Sequence, residues 1–94
     1  MKKLSDEEIQ NALRKLPGWS VEEGKLHREF AFADFVQAFG FMTRVALVAE
    51  SMNHHPEWFN VFKMVDVHLA THDAGGITQL DLDLAGHMNR LAEQ

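Results

Sequence analysis

The stretch from Phe35 to Asn53 most constrains this chain, because it is apolar over too much of its circumference to stand alone. Asp34 ahead of it is a good helix N-cap. At about 100° per residue, Phe35, Ala38, Phe39, Met42, Val45, Ala46, Val48, Ala49 and Met52 cover nearly half of one helix. Val36 and Leu47 fall beyond that arc, among Gly40, Thr43 and Ser51. A chain of 94 residues has room for one domain, 1–94, and one modest core. Such a core cannot easily hide both areas. The excess is either a wide core-facing stripe or a subunit interface, and it is read here as the interface.

The other elements are organised around this helix. Ser5 with Glu8 three residues later has the spacing of a capping box, and Leu4 with Ile9 that of a hydrophobic staple. Ile9, Leu13 and Leu16 mark one helical face, which Pro17-Gly18 ends. Around Gly24-Lys25, Trp19 to Glu23 and Leu26 to Phe32 read as a hairpin, the second strand alternating Leu26, Arg28, Phe30 and Phe32 with His27, Glu29 and Ala31. Trp58 to Phe62 and Val65 to Thr71 predict two more strands. Asp73 to Gly76 reads as a loop. Thr78 and Asp81 form a second capping box ahead of a helix with Leu80, Leu84, Met88 and Leu91 on its apolar face. The order α-β-β-α-β-β-α with short connections predicts an α+β fold: a two-layer sandwich with a four-stranded antiparallel sheet covered by helices on one face.

Composition then narrows the chemistry. There is no cysteine, so disulfides, thiol catalysis and Cys-ligated metals are excluded. Lys and Arg number 9 against 14 Asp and Glu, a net charge of −5, which gives no basic footprint for direct nucleic-acid binding. The N-terminal lysines are followed by no apolar h-region and no segment is long enough to span a membrane, so a cytoplasmic protein is expected. Ser5, Ser20 and Ser51 lie on no nucleophile elbow. Six histidines remain, and imidazole is the side chain best suited to exchange protons near neutral pH.

Their positions differ in promise. His54-His55-Pro56 stands where the long helix ends, and the proline helps to hold a turn that could aim both rings into a cleft. His72 follows a strand and precedes the glycine loop. The plainer reading of each is an exposed loop residue. Trp58 nearby could wall a pocket for a flat heterocycle. Glu50 lies one turn before His54 and could orient it, or be an ordinary helix-border glutamate. Asp81 is first of all a capping residue. The spacing of His68 and His72 is that of helical zinc sites, but on a strand it separates the rings by about 13 Å. Metal is therefore the less favoured reading. His27, His68 and His87 are assigned to surfaces or hairpin faces.

Taken together, Glu50-x-x-x-His54-His55-Pro56, Trp58-Phe59-Asn60-Val61, and Leu69-x-Thr71-His72-x-x-Gly75-Gly76-x-Thr78-x-x-Asp81-x-x-Leu84-Ala85 resemble the pterin-4a-carbinolamine dehydratase family. The Pro-Gly-Trp after the first helix is also similar, and the resemblance covers essentially the whole chain. It implies a hydro-lyase acting on 4a-hydroxytetrahydrobiopterin in tetrahydrobiopterin recycling, with no metal or organic cofactor. It also implies homodimers or homotetramers built partly through the long helix and the sheet. His54, His55 and His72 are implied as the active-site histidines; Pro56, Trp58, Thr71, Asp73 and Ala74 complete the expected binding set, with Glu50 and Asp81 in support. Imidazole suits that reaction, which delivers one proton to a departing hydroxyl and removes another from N5. Leu80 stands where the family often has a charged or polar residue, which leaves Asp81 without an obvious neighbour to set its charge. The alternative is a non-catalytic interaction module of the same fold, like the animal members that serve as dimerisation cofactors of a transcription factor.

Overall fold

A computed structural model describes residues 1–93, so only the last position of the expected domain lies outside the described residues. In chain order it contains α1 (Asp6–Leu13), β1 (Ser20–Glu22), β2 (Lys25–Ala31), α2 (Phe35–Met52), β3 (Glu57–Val61), β4 (Met64–Leu69) and α3 (Gln79–Ala92). A short 3-10 turn, His72–Ala74, occupies part of the expected glycine loop. The α+β fold read from the sequence is the one observed.

The four strands form one antiparallel sheet in the order β1-β2-β4-β3. Two hairpins, β1–β2 and β3–β4, therefore meet through β2 and β4 at the centre. Alternation decides which face is covered: Leu26 and Phe30 of β2 and Val65, Val67 and Leu69 of β4 are buried beneath the helices. The opposite face carries His27, Glu29, Asp66 and His68, with Glu29 opposite Asp66 and His27 opposite His68. The β1–β2 turn places both Glu23 (φ 52°) and Gly24 (φ 76°) in the left-handed region, as a two-residue hairpin of the right twist requires.

Both capping boxes are present, at Ser5–Glu8 and at Thr78–Asp81. The long helix departs from expectation in its facing. Its core stripe is Ala38, Phe41, Val45 and Ala49, and Phe41, absent from the arc read off the sequence, sits with its ring 4.8 Å from Phe30 and 4.9 Å from Phe32. Phe35, Phe39 and Ala46, which that arc included, are exposed. They join Val36 and Leu47 on one side of the helix, within about 120° of arc. The reason is geometric: α2 meets the sheet along one edge of its apolar arc, so the other edge faces outwards. Among the described residues no helix is long and apolar enough to cross a membrane.

Candidate active site

The site begins where α2 stops. Asn53 adopts the left-handed conformation (φ 51°, ψ 42°). Its N–H donates to the Glu50 carbonyl and that of His54 donates to the Ala49 carbonyl, both at 3.1 Å. This is a Schellman motif with asparagine in place of the usual glycine. It reverses the chain within two residues, so that His54 turns inward toward α3 while His55 stays exposed. Pro56 then leads into β3.

His54 is buried, at 8% exposure, and its Nε2 lies 2.5 Å from Oδ1 of Asp81. Asp81 is fully buried at the first turn of α3. Its second oxygen, Oδ2, accepts from Thr71 Oγ1 and from the Thr78 backbone N–H, each at 2.9 Å. Thr71 and Thr78 also share a hydroxyl–hydroxyl hydrogen bond of 2.7 Å. The same carboxylate thus caps a helix, ties down the end of β4 and holds an imidazole. A carboxylate only accepts, so the hydrogen on His54 sits on Nε2 and Nδ1 is left for exchange. The expectation that Asp81 lacks neighbours is corrected: none comes from position 80, but Thr78 three residues earlier, Thr71 and His54 supply them.

Thr71 is held in turn by a backbone bridge to Gly76, with Thr71 N–H donating to the Gly76 carbonyl at 2.8 Å. Gly75 closes this loop at φ 75°, a conformation that favours glycine. The loop projects His72 and Asp73 outwards, and both are exposed. His72 Nε2 stands 3.5 Å from Oε2 of Glu57 on β3. Glu57 itself bonds Lys25 Nζ at 2.6 Å. That hydrogen bond comes first, ahead of the positive charge of Lys25 and the nearby His72 and His68, in holding the Glu57 carboxyl below its ordinary range.

A cleft of about 260 Å³ lies between the helix end and the strand end, lined by Asn53, His54, His55, Ala70, Thr71, His72 and Asp73. The three histidines singled out by sequence are therefore neighbours in space, together with Thr71 and Asp73. Four expectations change. Glu50 pairs with His55, at 2.8 Å, and not with His54, because the left-handed turn at Asn53 swings His54 off the helix face. Trp58 is half-buried, opposite Val67 and packed on the core, and forms no wall of the cleft. Pro56 and Ala74 do not line it either. Asn53 and Ala70 do, and were missed; an asparagine directly after an apolar helical run was the available signal for the first.

Fold and cleft together define the class: a small α+β protein with a histidine-lined cleft backed by a buried carboxylate. A family model described as pterin 4 alpha carbinolamine dehydratase matches residues 2–91, and the chain belongs to that family. It is 61% identical to a protein of Solibacter usitatus over 96% of this chain and 95% of the relative, and 58% identical to one of Rhodopseudomonas palustris over 100% and 95%. Both carry provisional pterin-4-alpha-carbinolamine dehydratase names. A crystal structure of a transcriptional coactivator/pterin dehydratase from Brucella melitensis superposes with a TM-score of 0.94 at 48% identity, covering 97% of this chain and 99% of that one. A pterin dehydratase-like RuBisCO assembly factor of the alpha-carboxysome shares the fold, with a TM-score of 0.65 at 21% identity over 79% and 86%.

Proposed function

We propose that this chain dehydrates a 4a-hydroxytetrahydropterin, such as 4a-hydroxytetrahydrobiopterin, to the quinonoid dihydropterin and water. The observation that carries the proposal is the convergence of His54, His55 and His72 on one cleft, with Asp81 bonded behind His54, in a chain matched to the family over residues 2–91. In the reaction the C4a–O bond breaks and the hydroxyl leaves as water once protonated. N5 loses its proton, and the electron pair freed there forms the N5–C4a double bond. One group must give a proton and another must take one, and both can be imidazoles at neutral pH.

In this reading His54 and His72 form the acid/base pair. Asp81 fixes the His54 tautomer so that Nδ1 serves the substrate, and it stabilises the ring when that ring is charged. His72, exposed on its short loop, meets the substrate from the opposite wall. His55, held by Glu50, binds and orients, and Thr71 and Asp73 complete the pterin contacts. The chain works as a homo-oligomer assembled in part through the exposed side of α2. Stopped-flow decay of freshly generated 4a-hydroxytetrahydropterin, with and without the protein, tests the activity: a decay no faster than the spontaneous reaction rejects it.

A second reading has its own support. One structural relative is described as a transcriptional coactivator as well as a pterin dehydratase. Phe35, Val36, Phe39 and Leu47 here offer an apolar surface on which a partner protein could sit. A protein that is inactive in the stopped-flow assay but binds a partner through this surface would fit that role.

A further inference from the structure

Away from the cleft, the uncovered face of the sheet brings together side chains from three strands that the dehydration does not use. His27 on β2 and His68 on β4 are directly opposite in the antiparallel register. Their rings stack with centroids 4.5 Å apart and planes at 30°. Glu22 reaches across from β1, with its Oε2 3.5 Å from His27 Nδ1 and its Oε1 3.0 Å from His68 Nε2. One ligand atom from each of Glu22, His27 and His68 lies within 4.8 Å of the other two. On the far side of both rings stands Asp66, 2.6 Å from His27 Nε2 and 3.6 Å from His68 Nδ1.

We propose that Glu22, His27 and His68 form a binding site for a divalent transition-metal ion of the zinc, nickel or copper kind, with Asp66 as the carboxylate that orients His27 and stands behind His68. The hydrogen-bond pattern leads there. A neutral imidazole has one N–H and one lone pair. Asp66 accepts the N–H of His27 Nε2, which turns the His27 Nδ1 lone pair toward the Glu22 carboxylate, while His68 Nε2 hydrogen-bonds Glu22 Oε1 at 3.0 Å and offers its lone pair to an ion once its proton moves to Nδ1. One divalent ion takes both lone pairs and the carboxylate, and with Asp66 the site is electrically neutral.

The donor set is of the kind such ions select, imidazole nitrogen with carboxylate oxygen, and it excludes a preference for calcium or magnesium. The Glu22 carboxylate reaches both rings, Oε1 at 3.0 Å from His68 and Oε2 at 3.5 Å from His27, and the three donors need draw in only modestly to the edge of about 3.3 Å that tetrahedral bonds of about 2.0 Å require. A carboxylate behind each ligating imidazole is the usual outer partner of such sites. Three protein ligands leave a position open to water or to a further donor. The strands that carry the ligands are rigid, and β1, an edge strand of only Ser20–Glu22, allows Glu22 to adjust.

The test is calorimetric titration of the full chain with zinc chloride, free of chelators, at about pH 7.5. One equivalent of zinc should bind to the wild type. His27→Gln and His68→Gln should each weaken binding at least tenfold, and Glu22→Gln, an exposed change that leaves the sheet intact, should also weaken it. Asp66→Asn should cost about tenfold, and acidification to about pH 5.5 should release the ion as protons compete for the ligands. His72→Gln should leave the affinity unchanged, which separates this site from the cleft histidines. Failure of the wild type to bind zinc, retention of binding by the His27→Gln/His68→Gln double variant, or loss of binding in His72→Gln alone would overturn the proposal.

Discussion

Asp81 and His54, twenty-seven positions apart, meet through a 2.5 Å hydrogen bond in a part of the molecule from which water is almost excluded. Among the described residues the carboxylate makes no other ion pair and instead takes two further hydrogen bonds, from Thr71 and from the Thr78 backbone. Burial of an ionised group is tolerated only when its acceptor sites are filled. The network that satisfies Asp81 is the same one that fixes the orientation of His54.

Replacing Asp81 should therefore separate a structural from a positioning effect. Asp81→Ala leaves the Thr71 hydroxyl, the Thr78 N–H and His54 without their acceptor and should destabilise the fold by about 2–4 kcal/mol, read by chemical denaturation. Asp81→Asn keeps the shape but can no longer hold one His54 tautomer. The folded variant should lose about 10- to 100-fold in kcat with a smaller change in KM. Unchanged turnover in Asp81→Asn would remove Asp81 from the mechanism.

The cleft histidines should divide by kinetic signature. His54→Ala and His72→Ala should each lower kcat by about 100- to 10,000-fold, because general acid–base assistance is typically worth that much. His55→Ala should act mainly on KM. Circular dichroism of His72→Ala should match the wild type, since the ring is exposed. Near wild-type kcat in both His54→Ala and His72→Ala would contradict their pairing as acid and base.

The exposed side of α2 makes a prediction about assembly. Val36 and Leu47 are 73% and 70% exposed, so a charge at either position costs the isolated chain little. If the chain assembles through this side, Val36→Asp/Leu47→Asp should shift sedimentation toward the monomer while the circular dichroism spectrum holds. A wild type that sediments as a monomer at micromolar concentration would refute the interface.

Glu57 supplies a test in pH. Its carboxyl is held below the ordinary range, first by the hydrogen bond from Lys25 and next by positive charge. The folded state thus favours the ionised form. The resulting stabilisation is present above the carboxyl's unfolded pKa and is lost as pH falls through its folded value. Lys25→Met should raise the Glu57 pKa, followed by carbon-detected NMR of the side-chain carboxyl. The effect on stability should be small, because both side chains are exposed and the pair is screened.

How much of this was legible in the sequence follows from how local each signal is. Capping boxes at Ser5–Glu8 and Thr78–Asp81 and the alternation of Val65, Val67 and Leu69 depend on residues a few positions apart, and the observed elements match them. Boundaries moved by one to three residues, the most at α1, which stops at Leu13 short of Leu16. Facing was harder: a helix apolar over nearly half its circumference does not say which edge of that arc meets the sheet. Phe41 is buried and Phe39 exposed for that reason.

Sequence alone determined the strands, the helices and the set of imidazoles worth watching, since periodicity and capping are properties of neighbouring residues. Only the tertiary structure decided which groups touch. It gave His54 to Asp81 and Glu50 to His55 through one left-handed residue at Asn53. It also set His27 opposite His68 through a strand register that no local pattern specifies. Contacts between distant segments depend on how whole elements pack, and that information is spread over the entire chain.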